Sequence, residues 1–475
     1  MTDRISKSVL IGAVVLGSML LLAYLAYSRP GYFVNQTYLG GIVLFEFLFA
    51  AIWGYRRVFF PIVIVTFLLA GVDLPVGGIW TAARWFFLCA GALVGSFIML
   101  KERLHHFGLF HALATFAILA AMVSAAVSRY PGFALLKAVS LLLLFLYAAT
   151  GARLAVTGRE TRFFRGLLTG CEVFVGALAV FYFLGMEVMG NPNSLGAVMG
   201  VAGAPILLWG TMLPENPFVH KRRLVLYALS MYLVFQSHSR AGMIAAFLSC
   251  GLLCVALRRY KMLGQGVVII LIVATASAII DPEAFSKTVS TLTSSVVYKG
   301  KDPELGLLSS RQTPWQGAVE SIRSHFWFGS GFGTTDTGED ASAHLSAFET
   351  TLRVSRENGS SYLTIATWVG MLGVAPFLFL LLALLVNVFR TILWMLNTAN
   401  PSHPAIPLAM VMVAGLLHAG FEDWLFAPGY YLTVFFWSLA FVLADLTPSA
   451  PLPKFSLAWQ HSAMRQGVGR VVPSR

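Results

Sequence analysis

Charge is scarce in this chain of 475 residues. Charged side chains make up 11% of it, against about 25% in soluble domains, and the mean hydropathy is +0.76. A soluble globular enzyme needs far more polar surface, and a disordered chain needs more still. Both classes are excluded. Cysteine is scarce as well: Cys89, Cys171, Cys250 and Cys254 all lie in apolar runs. That excludes a disulfide scaffold and reads as small buried apolar side chains. Cys250 and Cys254 share a helix face, but no cluster of metal ligands surrounds them. There is no tandem repeat and no low-complexity linker.

What the sequence has in abundance is apolar runs. Spans are expected near 9–27, 34–53, 58–72, 84–100, 107–126, 132–151, 167–186, 194–213, 223–236, 241–257, 264–280, 361–388, 405–420 and 430–446. The first lacks a small-x-small cleavage site after it and is expected to be a retained helix. The fold class is therefore an all-α polytopic membrane protein of about 14 transmembrane helices (range ~12–14). The chain divides into N-terminal transmembrane helices (1–180), further transmembrane helices (181–280), a long outer loop (281–360), C-terminal transmembrane helices (361–446) and a basic tail (447–475).

The distribution of charge sets the orientation. With a cytoplasmic N-terminus, 21 of the 33 Lys and Arg fall on cytoplasmic segments, 5 on short outer loops and helix ends, and 7 in the long outer loop. Long loops are exempt from the positive-inside rule. The bias places both termini in the cytoplasm and accounts for the net charge of +12 without nucleic acid. His105 and His106 read as solvated cytoplasmic residues. Glu46 and Glu172 fall inside spans and must be paired or protonated, either as a proton or ion pathway or as structural hydrogen bonds.

Segment 281–360 is mostly polar, and a loop this long is usually functional. Helical spacing over 314–325 puts Ala318, Val319 and Ile322 on one face, and Thr313-Pro314 suits the helix start. Such a short amphipathic helix can lie at the membrane surface. Gly329-Ser330-Gly331-Phe332-Gly333 reads as a tight turn. It lacks the Lys-Ser/Thr of a phosphate-binding P-loop.

Polar groups gather on the outer side. They are Asn191-Pro192-Asn193-Ser194, Gln236-Ser237-His238-Ser239-Arg240, the loop arginines Arg311, Arg323, Arg353 and Arg356 with Glu357, and Phe421-Glu422-Asp423-Trp424 with His418 just inside. Ionisable groups near lipid are expensive to keep, so their convergence marks a site. Arginines at a membrane surface can also pair with lipid phosphate or snorkel. Glu422 and Asp423 read as a solvated cap or as arginine partners. Guanidinium forks match phosphate oxygens, and a diphosphate on a polyprenyl tail presents those oxygens at the membrane surface. If a sugar leaves such a carrier, arginines stabilise the charge growing on the diphosphate. No Asp-x-Asp metal motif occurs, so cationic side chains give a metal-free, cofactor-free route. A carboxylate or imidazole would deprotonate the acceptor hydroxyl.

At these residues the sequence resembles the bacterial O-antigen ligase and O-antigen polymerase superfamily. The resemblance is carried by Gly190-Asn191-Pro192-Asn193-Ser194-Leu195-Gly196, Ser237-His238-Ser239-Arg240-Ala241-Gly242, Ser310-Arg311 with Trp315, and the 329–333 glycine turn. It continues through Glu357-Asn358-Gly359-Ser360-Ser361-Tyr362-Leu363 and Gly370-Met371-Leu372-Gly373, and covers about 185–440. It implies a multi-helix transferase acting on undecaprenyl-diphosphate-linked glycan at the periplasmic face of the bacterial inner membrane, which makes the outer loop periplasmic. It implies metal-independent catalysis in which Arg240 and Arg311 hold the diphosphate. Glu357 is the candidate base and His238 the reserve. Arg356, Arg353, His238, Asn193 and Glu422 are candidate substrate contacts. Membrane lipids and the flippase and chain-length regulator of the same pathway are the implied partners. The His-Asn pair that ligases of the family carry before Ser-Tyr-Leu is replaced by Gly359-Ser360. The pattern therefore looks more like the exopolysaccharide polymerase branch. A ligase transferring glycan to lipid A-core is the alternative within this chemistry, and a polysaccharide transporter or flippase is the alternative outside it.

Overall fold

The computed structural model describes residues 24, 27, 28, 52, 54–72, 77–102, 107–186, 189, 191–283, 286, 290, 309–334 and 359–448. Over these the chain is helical, with no strand among the described residues. The helices are α1 (Tyr55–Ala70), α2 (Gly77–Glu102), α3 (Leu109–Ala126), α4 (Pro131–Val156), α5 (Glu160–Phe183), α6 (Pro192–Thr211) and α7 (Pro217–Gln236). They continue as α8 (Arg240–Ala256), α9 (Tyr260–Ile280), α10 (Ser309–Ser324), α11 (Ser361–Thr398), α12 (Ala405–Ala419) and α13 (Tyr431–Leu446). Among the described residues, α2 to α6 and α11 are long and apolar enough to cross a membrane, and α8, α12 and α13 are shorter apolar helices. The chain is an all-α polytopic membrane protein. Each expected span from 58–72 onward coincides with a helix. Those at 9–27 and 34–53, with Glu46, lie outside the described residues apart from Tyr24, Tyr27, Ser28 and Ile52.

Small residues let the helices approach. Ala114, Ala117, Ala121 and Ala125 recur at three- and four-residue spacing along α3, all buried, in a helix that packs against α11 and α4. Helix α6 is the most enclosed of the six helices long enough to span a membrane, packed among α5, α7, α8 and α12. At its π-turn, Met199–Gly203, a Cβ on Gly200 would sit 2.4 Å from the Gly242 carbonyl oxygen of α8. No larger residue fits between those two backbones.

Helix α11 differs from the single span expected over 361–388. It has 38 residues, about 57 Å at ~1.5 Å per residue, against a ~30 Å hydrocarbon core. It is broken at Gly370, whose φ of 63° and ψ of −178° are open essentially to glycine alone. The loop after α10 fills the break. Met371 and Leu372 donate their N–H groups to the Phe326 and Trp327 carbonyls at 2.8 and 3.2 Å. Ser330 and Gly331 donate theirs to the Thr367 and Trp368 carbonyls at 2.9 and 3.1 Å. The freed backbone groups of a broken membrane helix are thus satisfied inside the protein, as lipid requires. The 329–333 turn and the 370–373 segment form one interlock.

Helix α10 also departs from expectation. It begins at Ser309, so Pro314 lies inside it rather than at its start. Its inward face is Arg311, Pro314, Trp315, Ala318 and Ile322, with Val319 exposed. Val319 is thus not on the covered face; the face is set by Trp315 docking on Gly359, whose carbonyl accepts the indole N–H at 3.4 Å.

Two sets of contacts separate the ends of the bundle. Ser128, just before α4, donates to the Ser330 carbonyl at 2.9 Å, and Ser361, opening α11, meets Glu422. These define the near end. At the far end of the same helices, Arg153 of α4 grips Asp445 of α13 through two hydrogen bonds of 2.5 and 2.8 Å.

Candidate active site

The near end collects the polar motifs. In Ser237-His238-Ser239-Arg240 the two serines are buried and the histidine exposed. Ser239 caps α8, its hydroxyl accepting from the Gly242 N–H at 3.2 Å. His238 is held at φ 51°, a left-handed conformation uncommon for a non-glycine residue. The serines face the first turn of α6. A Cβ on Gly196 would lie 2.3 Å from the Ser237 hydroxyl oxygen. Asn191 caps that turn, its side chain accepting from the Asn193 N–H at 2.8 Å. The two motifs therefore form one packed unit, with Asn193 half-buried and His238 exposed on it and Arg240 at the mouth of α8.

Arg311 projects from α10 to Glu422, its terminal nitrogen 2.6 Å from the carboxylate. Both groups are about one-fifth exposed, so solvent can still reach them. Gly359, at φ 61°, lies under the guanidinium: a Cβ there would meet an Arg311 nitrogen at 2.7 Å. Arg240 is half-buried beside this pair. Burial first, and then the like charge of Arg311, hold its guanidinium below the ordinary arginine value. Arg311 is tied to the Glu422 carboxylate, and the Arg240 guanidinium lies close enough to feel the charge of Arg311; two like charges held near one another favour an anion between them.

The segment bearing Glu422 is firmly anchored. Ser361 donates its hydroxyl and N–H to the Glu422 carbonyl at 2.6 and 3.1 Å, and its oxygen accepts from the Leu425 N–H at 3.0 Å. Trp424 donates to Nδ1 of buried His418 at 2.8 Å, and Trp437 donates to the Leu425 carbonyl at 2.7 Å. A carboxylate so held keeps Arg311 in one orientation, which preorganises a charged site.

The structure thus brings together Arg240, Arg311 and Glu422, with Asn193 and His238 on the adjoining α6–α8 unit. Glu357, Arg356 and Arg353 lie outside the described residues. Sequence reasoning did not assign roles to Ser361, Gly359 or Trp315, although all three sit in quoted motifs. Their signal was the small or aromatic residue at each otherwise unexplained motif position. Glu172 lies apart from this site, towards the far end. It accepts from Arg222 at 2.5 Å and Arg223 at 2.7 Å, the paired structural state expected of a buried carboxylate.

Residues 225–378 match the family model of the O-antigen ligase family. Over that segment the chain is related to the O-antigen ligase and polymerase superfamily. The matched stretch contains Arg240, Arg311 and the Gly370 interlock. The family implies glycosyltransferase-like chemistry on lipid-linked glycans in a multi-pass membrane protein. No curated protein sequence matches the chain.

Proposed function

We propose that the protein is an inner-membrane polysaccharide polymerase that joins undecaprenyl-diphosphate-linked repeat units at the periplasmic face. The observation that carries this reading is the Arg311–Glu422 pair with the like charge of Arg240 close to Arg311 at one end of the bundle. Arg240 and Arg311 grip the diphosphate of the donor. A hydroxyl of a second lipid-linked unit attacks the anomeric carbon of the donor glycan. The carbon–oxygen bond to the diphosphate breaks, the departing diphosphate keeps the electron pair, and the hydroxyl proton passes to the Glu357 carboxylate. Charge grows on the leaving group as the bond opens, so the two cations stabilise the transition state more than the bound donor. Arg356, Arg353, Asn193 and His238 contact the glycan or its phosphates, and Glu422 orients Arg311. The positive-inside bias of the loops supports a periplasmic site with both termini in the cytoplasm.

A second reading is favoured by the description of the matching family: a ligase that transfers finished glycan to lipid A-core. Reconstitution of the full chain with lipid-diphosphate glycan in chelator distinguishes the two. Polymer built on the lipid carrier is the expected product. Glycan appearing only on lipid A-core makes the protein a ligase, and a strict metal requirement contradicts the cationic mechanism.

A further inference from the structure

Away from the Arg240–Arg311 site, a crevice of about 340 Å³ lies between α1 and α5, floored by α6 and α13. That volume is in the range of ligand sites, roughly 300–1,000 Å³. Its walls are apolar, with Phe60, Ile64, Leu167, Phe174, Ile206 and Phe435 among them. Pro61, Val65, Gly166 and Gly170 on its rim are exposed, so it opens sideways on the flank of the bundle.

One end of the crevice is charged. Arg56 and Arg57 open α1, and Arg159 and Arg162 open α5. This is the far end: α1 runs from there to Gly71, which abuts Tyr431 at the other end. Arg56 pairs with Glu102, and Arg159 donates to the Arg56 carbonyl. Among the described residues, Arg57, Arg159 and Arg162 form no ion pair. The guanidinium of Arg159 is held below its ordinary value by burial and then by Arg57, Arg162 and Arg56, so the cluster repels itself and gains from a shared anion.

Neither half of this site makes sense alone. Water-borne phosphate gains nothing from a phenylalanine-lined slot, and a neutral acyl chain gains nothing from a cluster of guanidiniums. An amphiphile with an anionic head satisfies both. The far end is the one that loop charge assigns to the cytoplasm, whose leaflet is rich in anionic lipid, and it lies across the membrane from the proposed donor site. We propose that the crevice binds one acyl chain of an anionic phospholipid, its phosphate held by Arg57, Arg159 and Arg162 and its chain lying along Ile64, Leu167 and Phe174. This site stands independently of the transferase reading.

The test is native mass spectrometry of the full chain in detergent, titrated with phosphatidylglycerol or with phosphatidylcholine of the same acyl chains. The wild type should retain phosphatidylglycerol in preference. Arg57→Gln with Arg162→Gln should weaken it about 30-fold, two surface charges at ~1 kcal/mol each. Gly170→Leu tests the chain slot. A Cβ at Gly170 meets nothing within 4 Å, so leucine enters open space; retention should be lost while the melting temperature in lipid-free detergent stays unchanged. Equal retention of phosphatidylcholine, or retention unaltered by both sets of variants, overturns the proposal. So does displacement of phosphatidylglycerol by undecaprenyl phosphate at lower concentration, which makes the occupant an isoprenoid. Cross-linking of Gly170→Cys to residues before 52 also overturns it, because the occupant is then the chain itself.

Discussion

The two ends of the helix bundle use charge differently. At the far end, carboxylates tie helices together. Arg153 of α4 gives Asp445 of α13 two hydrogen bonds, Arg222 and Arg223 of α7 share Glu172 of α5, and Arg223 also reaches Glu215 at 3.0 Å. At the near end, two arginines from different elements lie close together, Arg311 pairs with Glu422, and Ser361 fastens the Glu422 backbone. Paired charges there would suffice to hold a fold. Two like charges held close together are suited to holding an anionic ligand. The far-end arginines at the α1–α5 crevice follow the same logic, with an anion expected where protein carboxylates are short.

This contrast can be broken by mutation. Removing Arg223 should have the largest effect on folding. It leaves Glu172 buried with only the half-exposed Arg222, and losing one member of a buried ion pair costs about 3–5 kcal/mol. Arg223→Ala should lower the yield of folded protein and its melting temperature in detergent, while the folded fraction turns over normally. Arg240→Ala should do the opposite. Turnover in the reconstituted assay should fall about 100- to 1,000-fold, as on losing a group that stabilises developing negative charge, with the melting temperature unchanged. A normal polymer from Arg240→Ala would make the proximity of the two near-end arginines incidental.

These predictions rest on contacts that the sequence showed unevenly. The helices were legible because apolar residues in runs or at helical spacing have few other uses. The near-end motifs were legible because polar groups beside lipid are costly. Glu422 was legible as an arginine partner, but the choice of Arg311 was not, since the two residues are 111 positions apart and no local period records that contact. The break at Gly370 was hidden within a continuous apolar run, because the carbonyls and amides that satisfy it come from the 326–331 loop. Pro314 misled about the start of α10, since Arg311 and Trp315 draw the preceding residues into the helix.

Smaller effects sharpen the same comparison. Gly370→Ala forces a side chain into a glycine-only conformation and against the 327–329 backbone. The strain is worth about 1–3 kcal/mol, read as a lower melting temperature, and turnover should fall with it because the interlock positions both α10 and α11. Ser361→Ala removes hydrogen bonds that fix the Glu422 segment, at a cost near 1 kcal/mol. Its stability loss should be slight, and its loss of turnover should be larger than that of an alanine at exposed Ser324.

The most direct test of the central claim is a double-mutant cycle on Arg240→Ala and Arg311→Ala, measured as turnover of reconstituted protein on lipid-diphosphate glycan. If both arginines grip one diphosphate, the double variant should be little worse than either single variant, with a coupling energy above about 0.5 kcal/mol. Losses that simply add, or a single variant that retains full turnover, would show that the two arginines do not act on the same group.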